Sequence, residues 1–190
     1  MYRLGRHRIG LLLLIVLLVG CGRKDDMRKT SGQNTHAFFC DDQKVSNELM
    51  EAIIEGINNK DLDSIKSVFS INTINSDEDI DEEIQVLFDF IGGEITSYEE
   101  ADPAGSFDSF GEGYKIRLIS SYYYVSTSKE KFYFFINDFS VNTKEADKQG
   151  VKFLIVVKAD DKMKIFDKDE KILFDENGKI DLKGIYTPDF

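Results

Sequence analysis

The sequence predicts an α+β domain in which three N-terminal helices pack on one face of an antiparallel β-sheet. Two patterns support this prediction. Apolar residues recur with helical spacing between residues 45 and 92, and they alternate as in a strand from residue 94 onward. Helices grouped first and strands grouped later are typical of α+β domains. With 190 residues, of which 42% are hydrophobic and 31% charged, the chain has the size and balance of one globular domain with tails.

Each of the three predicted helices has its own start or stop signal. The first follows Asp41 or Asp42, either of which is suited to cap an N-terminus by accepting bonds from free backbone N–H groups. The second helix is short and begins at Asp61. The third is predicted to start after Ser76, which has an acidic residue at capping-box spacing, and to stop at Gly92.

Four strands follow, and apolar residues on both faces of the last predict a central strand covered on both sides. The strands are predicted at residues 94–98, 114–126, 131–139 and 151–158. The segment 99–113 contains Pro103 and three glycines, which predicts a long loop of the kind that is often functional or mobile. The segment 140–150 is predicted as a solvated loop.

The C-terminal extension, residues 159–190, has a weaker pattern. Asn177-Gly178 lies between two short apolar runs, at 171–174 and 179–182, and this dipeptide predicts a β-hairpin. The same stretch lacks the ligand spacing of a calcium loop. Two histidines and two cysteines in the whole chain leave too few ligands for an imidazole or thiolate metal site, so no metal and no cofactor are predicted.

The first twenty residues have the pattern of a secretory signal peptide. Three arginines precede an apolar run over residues 9–20, which is too short as a helix to cross a hydrocarbon core of about 30 Å. The sequence Leu18-Val19-Gly20-Cys21 resembles the bacterial lipobox. This resemblance implies cleavage before Cys21 and attachment of acyl chains such as palmitate to that residue. The alternative is an uncleaved signal anchor in which Cys21 is an ordinary thiol.

Residues 21–40 are then expected to form the lipidated cysteine and a flexible tether, because they are polar and lack apolar periodicity. With Cys21 acylated, Cys40 has no intramolecular partner and is expected to be a half-buried cysteine. The alternatives are a free thiol and an intermolecular disulfide. The predicted location is therefore the extracytoplasmic face of the cell membrane. Since two or more acyl chains hold a protein firmly, the membrane partner is engaged through the lipid on Cys21.

The charge of the chain restricts its partners. The net charge is −11, from 24 basic and 35 acidic residues, and removal of residues 1–20 takes away three arginines and no acid. Such a chain repels phosphate backbones, so nucleic acid is not an expected partner. An anionic bilayer would repel it as well, so attachment has to come from the lipid. A basic protein docking on an acidic face is a further alternative.

The body of the chain resembles the nuclear transport factor 2 superfamily. The local cue is the run Ile57-Asn58-Asn59-Lys60-Asp61-Leu62 between the first two helices. More narrowly, residues 93–98 (Gly-Glu-Ile-Thr-Ser-Tyr) are similar to the bacterial lipoprotein family called domain of unknown function 5104. The predicted domain spans residues 41–158, of which the resemblance covers about residues 42–158. The resemblance implies a cystatin-like cone, in which a curved sheet surrounds the helices and opens into an apolar cavity. No catalytic motif matches residue by residue, so no catalytic residue is carried over.

Aromatic side chains supply the candidate binding site. Tyrosine gives an apolar wall with one polar tip, which suits a ligand pocket. The candidate residues are Tyr98, Tyr122, Tyr124, Tyr133 and Phe135. The expected function is a noncatalytic module that binds a small apolar ligand, an envelope component or a protein partner. The alternative is ordinary packing of aromatic strands, with no ligand.

An enzyme is the second functional hypothesis. It requires an Asp whose pKa is raised by burial, acting as general base, beside a Tyr that donates a proton, as in an isomerase, dehydratase or hydrolase. The candidates are Asp89, Asp108 and Asp138, of which Asp89 lies between two phenylalanines of the third helix.

Overall fold

The computed structural model describes residues 42–166 and 182–188. Within these residues, helices precede a single five-stranded sheet. The α-helices are α1 (Asp42–Asn59), α2 (Leu62–Val68), α3 (Ile71–Ser76) and α4 (Ile80–Ile91). The strands are β1 (Ile95–Gly111), β2 (Tyr114–Thr127), β3 (Lys131–Asn142), β4 (Gly150–Lys158) and β5 (Gly184–Tyr186). Two 3₁₀ helices lie at Ala146–Lys148 and Ala159–Ile165.

The strands follow one another across the sheet in the order β1-β2-β3-β4-β5. The first four are antiparallel neighbours, whereas β5 pairs in parallel with β4. The α+β class predicted from the sequence is therefore confirmed, with the helices N-terminal to a mostly antiparallel sheet. The C-terminal extension contributes β5 to this sheet and also contains the 3₁₀ helix Ala159–Ile165.

Local signals fix several helix ends where the sequence predicts them. Asp61 caps α2, because its Oδ1 accepts the backbone N–H of Ser64 at 3.0 Å. Gly92 ends α4 in the left-handed region, at φ 59°, where a residue with a Cβ is disfavoured. The prediction that Asp42 caps α1 is not met, because Asp42 is the first residue of that helix and its carboxylate accepts hydrogen bonds from Ser106 and Arg117.

The helical layer contains one more helix than the three predicted. The six residues of α3 carry no apolar stripe, so periodicity does not reveal them. Ser70 caps this helix by accepting the N–H of Thr73 at 3.0 Å. The prediction that Ser76 caps the third helix is wrong, since Ser76 is the last residue of α3 and Asp79 precedes α4 without a side-chain cap bond.

The predicted loop at 99–113 is also wrong. In the structure β1 continues to Gly111 and pairs with β2 along its length. Pro103 has no amide hydrogen, and the register shifts around it, between residues 102 and 105, accommodate it. Pairing with the long β2 thus outweighs the local turn tendency of proline and glycine. In the same way β3 extends to Asn142, into the segment 140–150 that the sequence predicts as a loop.

Alternation along the strands divides the sheet into two faces. The helix-side face is filled by a large buried apolar cluster that includes Tyr123, Phe134 and Leu154. The outer face carries a second, aromatic cluster that includes Tyr133 and Phe135. Strand β4 contributes to both clusters, which confirms the prediction of a central strand covered on both sides.

Some predicted features lie outside the described residues. These are the signal peptide at 1–20, Cys21, the tether to residue 40 with Cys40, Asp41 as a cap, and the hairpin turn at Asn177-Gly178. In the part of the chain that is described, no helix has both the length and the apolarity needed to cross a membrane.

Candidate functional site

A pocket lies on the outer face of the sheet, beside the 3₁₀ helix Ala159–Ile165. Its volume is about 410 Å³. The lining residues come from β1, β2, β3 and the 3₁₀ helix with the residue that follows it: Asp102, Tyr122, Tyr133, Lys162, Met163 and Phe166. We refer to this cavity as the aromatic pocket.

Strand pairing brings four of the five predicted aromatic residues together. Tyr122 pairs with Phe135 and Tyr124 pairs with Tyr133 across β2 and β3, so all four side chains lie on the outer face. The ring centroids are 4.8 Å apart for Tyr122 and Phe135, and 5.7 Å apart for Tyr124 and Tyr133. These rings form a continuous wall, and Tyr122 and Tyr133 are the two that border the pocket directly.

The fifth predicted residue, Tyr98, lies on the opposite side of the sheet. Its strand partner is Val125, a member of the helix-side cluster, and its ring meets Tyr123 edge-on at 5.6 Å. Its phenol donates a hydrogen bond to Glu51 Oε1 at 3.0 Å. The sequence prediction that Tyr98 shares a site with the other four is therefore not met by the geometry.

One ion pair forms the polar edge of the pocket. Lys162 Nζ lies 3.2 Å from Asp102 Oδ2. The same ammonium is 4.7 Å from the centre of the Tyr133 ring and 5.4 Å from that of Tyr124, within the range of a cation–π contact. The pocket therefore combines aromatic and thioether side chains with one charged edge, and apolar walls with a few polar groups are common in ligand sites.

The sequence did not predict four of the residues that line the pocket. Asp102 lies in the stretch predicted as a loop, whereas Lys162, Met163 and Phe166 belong to the extension with no clear pattern. Asp102 pairs with Tyr122 because the register shifts between Glu100 and Asp102, whereas regular alternation from Tyr98 would have placed Asp102 on the helix-side face. No periodic signal marks the residues of the 3₁₀ helix.

The pocket phenols stay protonated near neutral pH. Burial raises the pKa of Tyr133, and the neighbouring Tyr122 and Asp102 raise it further. Burial also raises the pKa of Tyr122. Tyr122 is partly exposed to the pocket, whereas Tyr133 is almost fully buried behind it. Neutral phenols donate hydrogen bonds, but they are poor bases and poor nucleophiles.

The three aspartates of the enzyme hypothesis lie elsewhere. Asp89 is exposed on α4, and Asp108 Oδ2 lies 3.6 Å from Arg117 Nη1. Burial raises the pKa of Asp138 to about 6. However, Asp138 pairs with Val151, which belongs to the helix-side cluster. None of the three is among the residues that line the aromatic pocket.

A second group of carboxylates lies where α4 meets β5. Glu83 Oε2 accepts the backbone N–H of Ile185 at 2.7 Å. Burial raises the pKa of Glu83 to about 7, and the negative charge of Asp77 adds to this shift. Since Glu83 holds the backbone of β5, its contact is structural. Among residues 42–166 and 182–188, no group of three or more His, Cys, Asp or Glu side chains is arranged to hold a metal ion.

These features define an α+β protein whose sheet has a helix-packed face and an outer face with an aromatic pocket. The family model described as Domain of unknown function (DUF5104) matches residues 52–159, more than half of the chain. The chain belongs to this family. The matched segment contains Asp102, Tyr122 and Tyr133 of the pocket, and it ends before Lys162. None of the curated protein sequences compared with this chain matches it.

Proposed function

We propose that this protein is a noncatalytic binding module, anchored by lipid to the extracytoplasmic face of the cell membrane, that holds a small apolar ligand in the aromatic pocket. The observation that carries the ligand part of the proposal is the 410 Å³ cavity walled by Tyr122 and Tyr133 and edged by one ion pair. Flat or apolar molecules with a single polar group suit such a lining.

The chemistry of the lining supports binding rather than catalysis. Its phenols are held neutral by burial, and its carboxylate, Asp102, is neutralised by Lys162. General acid–base catalysis needs a group whose pKa lies near the working pH and which reaches the substrate. Asp138 has such a pKa, but it lies on the other face of the sheet.

The proposal also includes membership of the nuclear transport factor 2 superfamily. Its support is the order of the elements, with helices α1 to α4 followed by a mostly antiparallel sheet. That resemblance implies a cavity between the helices and the sheet. In this chain the helix-side face is filled by buried side chains such as Phe134 and Ile136. We therefore assign the ligand to the outer face.

The lipid anchor rests on the lipobox-like sequence ending at Cys21 and on the short apolar run before it. Metabolic labelling with palmitate tests it directly. We expect label on the wild-type chain and none on Cys21→Ala, with Cys40→Ala as the matched control that keeps its label. Label that survives in Cys21→Ala would contradict the anchor.

Ligand binding is tested with 2-naphthol as a small, flat, apolar probe. Saturation-transfer NMR on the full chain should detect its binding. Tyr122→Ala and Met163→Ala should each weaken its affinity by about threefold or more, because each removes part of the apolar wall. Val86→Ala removes an exposed apolar side chain on α4 and should leave the affinity unchanged. No saturation transfer, or equal effects in all three variants, would overturn the pocket assignment.

A further inference from the structure

Two of the most exposed aromatic side chains of the described residues lie at one place, the tip of the β1–β2 hairpin. Phe107 is 65% exposed and Phe110 is 64% exposed. We define the hairpin tip as residues 106–117, which run from the end of β1 through the turn at Glu112 and Gly113 into β2. Isolated apolar residues on a surface are ordinary, but two phenylalanines on one protruding turn form an apolar end.

The tip is apolar on both faces of the hairpin. Phe107 pairs with Leu118 and Phe110 pairs with Lys115, so the two phenyl rings project from opposite faces. Tyr114 lies beyond the turn, with Lys144 Nζ 5.1 Å from the centre of its ring. Phenylalanine beside tyrosine and lysine is the residue mixture found where proteins meet the headgroup region of a bilayer.

The N-terminus of α1 lies against the stem of this hairpin. Ser106 Oγ donates a hydrogen bond to Asp42 Oδ2 at 2.8 Å, and Arg117 Nε donates to Asp42 Oδ1 at 2.9 Å. The backbone N–H of Ala104 donates to Gln43 Oε1 at 3.0 Å. The segment that connects Cys21 to the domain therefore joins it at Asp42, which contacts Ser106, the residue before Phe107.

The segment between Cys21 and Asp42 is short enough for its attachment point to influence which face of the domain meets the membrane. Twenty residues separate Cys21 from Asp42. A chain of that length and polar composition is expected to span about 25 Å on average, which is comparable to the size of a small domain. A domain held by such a tether meets the membrane most often with the face on which the tether is attached.

The charge of the tip also suits this contact. The chain as a whole has a net charge of −11, which an anionic bilayer repels. Residues 106–117 contain Asp108 and Glu112 against Lys115 and Arg117, and Arg117 is paired with Asp42 and Asp108. The hairpin tip therefore carries little of the excess negative charge that an anionic bilayer repels.

We propose that the hairpin tip is a membrane-contact site, in which Phe107 and Phe110 enter the headgroup region of the bilayer that carries the lipid anchor. This inference rests on the lipid anchor of the proposed function. The hairpin tip is then a second attachment point beside the lipid. It also defines an orientation, in which the end of the domain that bears the hairpin tip faces the membrane.

A single tryptophan placed at the tip reports on this contact, because the chain contains no Trp of its own. The full-length Phe107→Trp chain is reconstituted with vesicles of phosphatidylcholine and phosphatidylglycerol in which part of the phosphatidylcholine carries brominated acyl chains. Val86→Trp is the matched control, since Val86 is 52% exposed on α4. The proposal predicts blue-shifted emission from Phe107→Trp and quenching at least about twofold stronger than for Val86→Trp.

A second substitution separates insertion from mere proximity. Phe110→Ser in the Phe107→Trp chain should reduce the quenching by half or more, because one of the two inserting rings is lost. Equal quenching at the two tryptophan positions, or no effect of Phe110→Ser, would overturn the proposal. So would a dimer in light scattering that dissociates in Phe110→Ser, since it would assign the tip to a second copy of the chain.

The same samples distinguish failure of the tip from failure of the anchor. Mass spectrometry of each preparation reports acylation of Cys21 independently of the fluorescence. An unacylated Cys21 overturns the anchor, and the tip is then tested by adding excess vesicles to the same Phe107→Trp chain. Selective quenching there still supports the tip, and its absence still contradicts it.

Discussion

Tyr122 and Tyr123 are neighbours on one strand, yet they lie in two different environments. Tyr123 faces the helices and is fully buried, and its phenol donates a hydrogen bond to Asn47 Oδ1 at 2.8 Å. Tyr122 faces outward and lines an open pocket. Side-chain type therefore does not decide the role of a tyrosine in this sheet. What decides it is the layer that covers each face: helices on one side, and a short 3₁₀ helix that leaves a cavity on the other.

The helix-side face shows how a filled face differs from an open one. Its aliphatic and aromatic side chains are buried against α1 and α4 in one continuous cluster. Close packing of this kind contributes stability and leaves little room for a ligand. The outer cluster is smaller, and the volume left beside it is bordered by tyrosines with polar tips. This contrast leads us to assign stability to the first face and binding to the second.

The largest expected effect is a cavity on the helix-side face. Phe134→Ala should lower the free energy of unfolding by about 3–5 kcal/mol, because the ring is fully buried between helices and sheet. Phe107→Ala, at an exposed position of the same residue type, should change it by no more than about 0.5 kcal/mol. Urea denaturation of both variants measures the difference. Similar changes in the free energy of unfolding for the two variants would contradict the distinction between the buried core and the exposed surface.

A smaller loss is expected at the edge where β5 meets the helical layer. Gly184 has φ +85°, and a Cβ there would lie 2.0 Å from Asp77 Oδ2 and 2.7 Å from Glu83 Oε2. Gly184→Ala should therefore destabilise the protein by roughly 1–3 kcal/mol. Gly105→Ala is the matched control, because no atom lies within 4 Å of its added Cβ. Thermal unfolding measures the stability of both variants. Equal stability of Gly184→Ala and Gly105→Ala would contradict the close contact of Gly184 with Asp77 and Glu83.

The adjacent tyrosines provide the sharpest comparison. Tyr123→Phe deletes a buried hydroxyl and leaves Asn47 without that bond, which should cost about 1 kcal/mol of unfolding free energy. Tyr122→Phe should stay within about 0.5 kcal/mol of the wild type, since its phenol borders open space. Chemical denaturation of both variants tests whether Tyr123 is the buried residue of the pair. A larger loss of unfolding free energy in Tyr122→Phe than in Tyr123→Phe would contradict this.

The pH dependence of stability should expose the contact between Glu83 and β5. The pKa of Glu83 is raised from 4.5 to about 7 in the folded state, so the folded chain holds a proton that the unfolded chain has already lost. The contribution of Glu83 is therefore fully favourable below 4.5 and is lost as the pH rises through about 7. Asp138, with a folded pKa of about 6, acts with the same sign.

Glu83→Gln separates the two groups. The amide oxygen of Gln is still able to accept the N–H of Ile185, but the side chain no longer titrates. The wild type should therefore melt at a higher temperature at pH 5.5 than at pH 8, and the variant should show a smaller difference. An unchanged pH profile in Glu83→Gln would show that this carboxyl does not titrate as described.

The sequence predicted the parts of the fold that depend on local periodicity. The stripe that buries Ile53 and Ile57, the stop at Gly92 and the two covered faces of β4 all follow from residue spacing and cap chemistry. Helix α3 was not predictable in this way, because six residues are too few to show a period. The extension of β1 past Pro103 depends on β2, which is a partner distant in sequence.

The candidate site was predictable to the same extent. Alternation on β2 and β3 was enough to group Tyr122, Tyr124 and Tyr133, since cross-strand neighbours share a face. It did not decide between the two faces, and Tyr98 was therefore grouped with the wrong side. Lys162 reaches the pocket from a 3₁₀ helix whose position is set by tertiary packing, for which the sequence carries no periodic signal.

Two methionines allow the division of the faces to be tested in one titration. Met50 is buried on the helix-side face, whereas Met163 borders the aromatic pocket and is 68% exposed. The full chain, labelled with ¹³C at its methionine methyl groups, is titrated with 2-naphthol and followed by NMR. We expect the Met163 methyl resonance to shift and to reach saturation, while the Met50 resonance stays in place. A shift of Met50 alone, or no shift of Met163, would contradict a ligand site on the outer face.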